Sequence, residues 1–214
     1  MALAKPGHEL ILVARREEEL NQIAKNIQEK GGYAETFPFD LTEPKLKPLA
    51  TRLMARDGYP VLINSAGIGV FAQFADLSWE DFQRQITLNL MAPAKLMHDC
   101  LPGMLGRGGG QIVNVLSMTC AHVLPGGGGY STAKSALHML GKIVSQEYRK
   151  QGIKVTGLMP GAVDTPIWDG SPMESRLREM IPTEHVANFI AQLVENPHSF
   201  NMDEVLMMPP SGVL

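Results

Sequence analysis

Tyr130 and Lys134 stand four residues apart in the run Tyr130-Ser-Thr-Ala-Lys134, and Ser117 lies thirteen positions before the tyrosine. On a helix that spacing puts a phenol and an ammonium on one face, one turn apart. A fixed positive charge there favours the phenolate and draws down a tyrosine pKa that is about 10 when unperturbed. Ser117 ends the apolar run Ile112-Val-Asn-Val-Leu116, so a strand would hold its hydroxyl where it can bond the same substrate oxygen. Hydride reduction of a carbonyl needs an acid, a charge that tunes it and a polarising hydroxyl, because the oxygen gains charge as the hydride arrives. A short pattern also matches by accident, and Tyr and Lys on an ordinary amphipathic helix would look alike.

The elements that must carry these residues alternate along the chain. Residues 10–13, 34–39, 61–63, 111–116, 154–159 and 204–208 read as strands. Residues 17–30, 44–56, 79–105, 130–151 and 184–195 read as helices. Leu20, Ile23, Ala24 and Ile27 recur at helical spacing, and Gly31-Gly32 stops that helix. Pro48 should break or delay the second helix and Pro93 should kink the third, and Thr183 should cap the last. Such alternation predicts an α/β fold, a parallel sheet with helices on both faces. The apolar residues 10–13 suit a strand covered on both sides.

Composition narrows the function. At 214 residues and 44% hydrophobic, the chain can bury a full core as one domain over 1–214. A net charge of -3 leaves no electrostatic footprint for nucleic acid or an anionic membrane, and Arg15-Arg16 is too short to count as a patch. No apolar stretch reaches the roughly 18 residues of a membrane span. Pro6, Gly7, His8 and Glu9 interrupt any leader-like apolar core after Lys5. Two cysteines, Cys100 and Cys120, suit a reducing compartment, so a cytoplasmic protein is expected. None of the six histidines joins Cys, Asp or Glu at ligand spacing, so no metal site is expected.

Further motifs follow one another in order. They are Asn64-Ser-Ala-Gly67, Asn89 within Leu88-Asn-Leu-Met-Ala-Pro93, the Ser117, Tyr130 and Lys134 trio, and Pro160-Gly161-Ala-Val-Asp-Thr165. From Gly7 to about Pro209 the chain resembles the short-chain dehydrogenase/reductase family, with Ser65 where that family usually has a second asparagine. The resemblance implies a Rossmann-like doubly wound parallel sheet and catalysis by Asn89, Ser117, Tyr130 and Lys134. It implies that Asn89 anchors a relay water and that Lys134 also holds the nicotinamide ribose. Asp40 would bond the adenine amino group. Asn64, Ala66 and Gly67 would run close to the cofactor, and Pro160, Gly161, Val163 and Thr165 would hold the nicotinamide side. Ala14 stands where NAD-using members carry an acidic residue, and Arg15 and Arg16 follow, which points to NADP(H) over NAD. As plain residues of a solvated helix face the arginines would look the same.

The family opens with a strand, a Thr-Gly-x-x-x-Gly-x-Gly turn and a helix, and residues 1–7 read instead as the end of that helix. Gly31-Gly32, Gly106 to Gly110 and Gly126 to Gly129 do not follow an apolar strand as a phosphate cradle requires. The expectation is an N-terminally truncated copy that lacks a central strand. Two readings stay open. One is an NADP-dependent oxidoreductase acting on a carbonyl or alcohol. The other is a non-catalytic binding or oligomerisation protein of the same fold. An epimerase or lyase reading is disfavoured by the short region after Thr165. Small residues on the helices of Asn89 and Tyr130 (Ala92, Ala94, Ser131, Ala133, Ser135, Ala136 and Gly141) suggest a homodimer or homotetramer. Residues 167–181, with Met173 and Met180, are where this family varies its specificity.

Overall fold

The computed structural model describes all residues except 44, 170, 171, 196–199 and 214. Strands and helices alternate as β1 Glu9–Ala14, α1 Glu17–Glu29, β2 Tyr33–Pro38, α2 Lys47–Leu53 and β3 Val61–Asn64. There follow α3 Trp79–Ile86, α4 Ala92–Gly106, β4 Gly110–Val115, α5 Gly128–Tyr148, β5 Ile153–Pro160, α6 Thr183–Glu195 and β6 Glu204–Met207. Every ladder is parallel, as expected of strands joined through helices.

Proline sets two of the helix boundaries. Pro44, expected as the first residue of the second helix, lies outside the described residues. That helix begins at Lys47 with Pro48 in its first turn, where a missing N–H costs nothing. The long third helix is interrupted by a π-helical turn, Thr87–Met91, before α4 opens with Pro93. Pro93 has no N–H to give to the carbonyl of Asn89, and Ala92 N–H reaches back five residues to Thr87. Ser78 starts α3 by accepting from Asp81 N at 3.1 Å.

β4 and β5 form the core, and their side chains alternate between two faces. Ile112, Leu116, Val155 and Met159 join a cluster with Met97, Cys100 and Met104 of α4 and Leu137 and Val144 of α5. Leu158, on the opposite face, packs with Val186 of α6 and Ile181. Gln111 shares that second face and donates to Leu193 O at 2.8 Å. Helices therefore cover both faces, and the expected α/β Rossmann-like architecture is what is found.

The strands form two ladders, β1-β2 and β3-β4-β5-β6. Between them lies an apolar slot of about 450 Å³, bordered by Leu10, Ile11 and Val13 of β1 and by Val61, Leu62 and Ile63 of β3. In this position the sequence resemblance would put a strand. The slot explains a departure from expectation at β1. Leu10 to Val13 are half-buried rather than covered on both sides, because one flank of the strand borders the slot.

Burial thus divides the molecule unevenly. Most of β4 and β5 is buried, whereas β1 and β2 together contain one buried residue, Ala34. A two-stranded ladder is marginal without support, and here α1 supplies it through Ala24 and Ile27. Backbone amides of β1 and β2 should therefore exchange with deuterium at least about tenfold faster than those of Ile112 to Asn114 and Val155 to Leu158. Equal protection across the two ladders, measured by exchange and mass spectrometry, would refute this division.

Candidate active site

The C-terminal ends of parallel strands share one edge of a sheet, where ligands of open α/β folds bind. Ala14 and Pro38 end one ladder and Asn64, Val115 and Pro160 end strands of the other. Ser117 lies just past β4 and begins a short turn, Met118–Cys120, accepting from Thr119 N at 3.2 Å. Tyr130 lies in the first turn of α5, with Lys134 one turn on. The Ser117 hydroxyl lies near enough to the Tyr130 phenol to favour its phenolate. Lys134 Nζ lies 5.7 Å from the centre of the Tyr130 ring and donates to Val115 O at 2.7 Å. The three expected residues are brought together.

Burial governs the electrostatics. Lys134 is 4% exposed, and desolvation pulls its ammonium down to about 8. Tyr130 moves the other way. Burial holds its phenol above the ordinary value, nearby Ser117 only partly offsets this, and Cys120 adds to the rise. The expected lowering is not seen in the protein alone, because burial, the largest influence on the phenol, raises it.

Asn89, fully buried in the π-turn, clasps one peptide of the loop after β3. Its Oδ1 accepts from Ile68 N at 3.0 Å and its Nδ2 donates to Ile68 O at 2.8 Å. A Cβ on Gly67 would stand 2.7 Å from that Oδ1 and 3.5 Å from Lys134 Nζ. Glycine is needed there for close approach. Asn64 is turned away from the loop and donates to Asn114 Oδ1 at 2.8 Å across the β3-β4 ladder. Ala66 and Gly67 are exposed.

On the far side, Gly161 N–H donates to Met207 O at 2.7 Å, which ties the strand end at Pro160 to β6. Thr165 Oγ1 and Trp168 Nε1 both donate to Val163 O, at 3.3 and 2.9 Å. In the first ladder Arg15 lies near enough to Asp40 to favour its carboxylate. The Asp40 carboxyl is held below its usual range chiefly by bonds from Thr42 N and Thr42 Oγ1, at 2.9 and 2.8 Å. Arg16 pairs with Glu19 at 2.8 Å on the α1 surface.

Two functional amides were missed in the sequence. Gln85, fully buried one turn before Asn89, accepts from Val70 N at 3.0 Å, and a Cβ on Gly129 would meet its Nε2 at 2.6 Å. Asn114, the partner of Asn64, sits in a strand that reads as simply apolar. The expected interface also changes. Ala92, Ala133 and Gly141 are buried within the chain, where a Cβ on Gly141 would meet Asn114 Nδ2 at 3.1 Å. Met91, Met139 and Ile143 are the exposed apolar residues of these segments.

A family model described as short chain dehydrogenase matches residues 1–175. The chain belongs to the short-chain dehydrogenase family. It is an NAD(P)-dependent oxidoreductase of that family. An uncharacterized oxidoreductase of Staphylococcus epidermidis is 25% identical over 209 residues, covering 97% of this chain and 89% of that protein. A fatty acyl-CoA reductase of Mycobacterium tuberculosis is 33% identical over 174 residues, 76% of this chain and 59% of its own length. Among solved structures, an alcohol dehydrogenase of Thermococcus sibiricus complexed with 5-hydroxy-NADP superimposes with a TM-score of 0.88 at 26% identity. That match covers 98% of this chain and 89% of the other. A short-chain dehydrogenase of Sphingobium yanoikuyae in complex with NADPH gives 0.82 at 29% identity, covering 97% and 80%. No helix among the described residues of this short-chain dehydrogenase is long and apolar enough to cross a membrane.

The depressed lysine has a measurable consequence. Its folded pKa of about 8 lies below the unfolded value of 10.5, so between those pH values the unfolded chain binds the extra proton. Stability should rise across that interval, and below about pH 8 the whole cost of the buried charge is present. The gain across the interval is up to roughly 3 kcal/mol. Lys134→Met should abolish the rise in a urea titration repeated at several pH values. An identical pH slope in both proteins would rule out a desolvated ammonium.

Proposed function

We propose that this chain transfers a hydride between NADP(H) and a carbonyl or alcohol substrate by a Ser117-Tyr130-Lys134-Asn89 mechanism. The observation that carries this reading is the phenol of Tyr130 lying over the buried Lys134 ammonium, which is 5.7 Å from its ring centre, with Ser117 near enough to favour the phenolate. A phenol raised above its ordinary value stays protonated at neutral pH and is ready to donate. Ser117 orients the carbonyl oxygen, and the proton of Tyr130 goes to that oxygen. The bound nicotinamide supplies the hydride to the carbonyl carbon. Lys134 favours the tyrosinate left behind and offers its remaining donors to a ribose hydroxyl. Both amide atoms of Asn89 are engaged with Ile68, so a relay water falls to its backbone carbonyl, to which Pro93 cannot donate.

The described residues fit the cofactor unevenly. On the nicotinamide side Gly67 leaves open the space before Lys134, with Pro160, Gly161, Val163 and Thr165 across the edge. On the adenine side stand Arg15, Arg16 and Asp40, with the backbone of Asn64 to Gly67 between. Gly7 and Gly58 border the slot beside β1, but neither stands between a strand and the helix that follows it, as a phosphate-cradling turn does. Arg15 supports NADP(H) over NAD(H), since a guanidinium pairs with a 2′-phosphate. We also infer one domain over 1–214, a cytoplasmic location and a homo-oligomer joined through Met91, Met139 and Ile143.

Tyr130→Phe should lower turnover by at least about a hundredfold while leaving NADPH binding nearly unchanged. A variant that keeps most of its rate would exclude Tyr130 as the acid. Ala14→Asp combined with Arg15→Gln should move preference from NADPH toward NADH by roughly tenfold to a hundredfold. Measured dissociation constants whose ratio does not move would reduce Arg15 to a surface residue.

A further inference from the structure

One aromatic side chain packs against the Tyr130 ring and a second stacks on the first, and proton transfer accounts for neither. The Phe71 ring centre lies 5.7 Å from that of Tyr130 at 58°, and 5.6 Å from that of Trp168 at 13°, an offset stack. The three rings form a continuous wall leading outward from the phenol.

Phe71 is held on both sides. Val70 N–H donates to the buried Gln85, and Ala72 N–H donates to Gly126 O at 2.9 Å. Gly69 allows the ring its place, since a Cβ there would stand 2.8 Å from Phe71 and 3.2 Å from Ile167. Trp168 comes from the other side of the site, at the end of the single turn Pro166–Trp168. Its indole N–H is used by Val163 O, which turns the ring so that its face lies on Phe71. The loop after β3 thus contributes the ring beside Tyr130, and the loop after β5 the ring stacked on it.

We propose that Phe71 and Trp168 are specificity-determining residues that recognise an aryl or flat apolar substituent on the substrate carbonyl. This rests on the reading of Tyr130 as proton donor. An aryl group can stack or meet the ring edges. A polyhydroxylated substituent pressed to the same wall loses its water partners and gains none, which disfavours it.

Acetophenone and glyceraldehyde serve as aryl and hydroxylated probes. In a Trp79→Phe protein Trp168 is the remaining tryptophan of two. Acetophenone should quench its fluorescence saturably, and Phe71→Ala should raise the half-saturating concentration about tenfold. Linear, non-saturating quenching, or equal half-saturation in both proteins, would overturn the proposal. With NADPH, the ratio of kcat/KM for acetophenone over glyceraldehyde should fall about tenfold in Phe71→Ala and in Trp168→Ala. Trp168→Phe should keep that ratio. Equal losses on both probes would mark the rings as merely structural and also overturn it. Saturable quenching without NADPH oxidation on either probe would uphold the wall and defeat the hydride-transfer reading instead.

Discussion

An ammonium taken out of water sets the terms for this site. Moving such a charge into protein costs several kcal/mol unless it is well paired, and Lys134 donates to the Val115 carbonyl at 2.7 Å. That bond fixes the end of β4 against the second turn of α5. It therefore fixes Ser117, just past Val115, relative to Tyr130, one turn before Lys134. Gly67 must lack a side chain because Asn89 Oδ1 stands 2.7 Å from where its Cβ would be. The depressed lysine and raised phenol share one cause, desolvation, and each moves toward its neutral form.

Local pattern made much of this legible. Prolines marked where α2 begins and where the long third helix loses its regular bonding, since a missing N–H acts within one turn. Ser117, Tyr130 and Lys134 were readable because an apolar run and a helical spacing place them without knowledge of the rest of the chain. What escaped depends on distant partners. Gln85 looks like a polar position of an amphipathic helix. It is buried only because α3 packs on α5 at Gly129, whose missing Cβ makes room for its amide. Ala133 and Gly141 of α5 were misplaced for the same reason, whereas Ser135 is exposed and Ser131 and Ala136 are half-buried. Spacing shows that Ala133 and Gly141 permit close approach, but not that the neighbour is the chain's own sheet. The phenol shift escaped too, because the sequence hides the burial that raises it.

Two buried amides show how the fold turns helix register into site geometry. Gln85 and Asn89 lie four apart, on one face of the α3 segment, and they grip Val70 and Ile68 of one loop. A buried amide left unpaired would cost about 1–3 kcal/mol, so each bond resists any shift of the loop. The π-turn brings the second amide into place while Pro93 frees the Asn89 carbonyl. An irregularity that looks like a cost to the helix thus positions a loop on one side and denies the Asn89 carbonyl its usual donor on the other.

The two ladders divide the work unequally. Ser117, Val115 and Pro160 end strands of the deeply buried ladder, so the chemical half of the site rests on the stiffest part of the molecule. Arg15 and Asp40 end strands of the other, which has little buried surface of its own and borders the apolar slot. A dinucleotide reaching from Asp40 to Thr165, as proposed, would tie the two ladders together. Binding energy gained at the adenine end would go partly into ordering β1 and β2, and the ligand would stabilise that ladder in return. Affinity should then depend on what occupies the slot far more than turnover does, because neither Tyr130 nor Lys134 touches the slot.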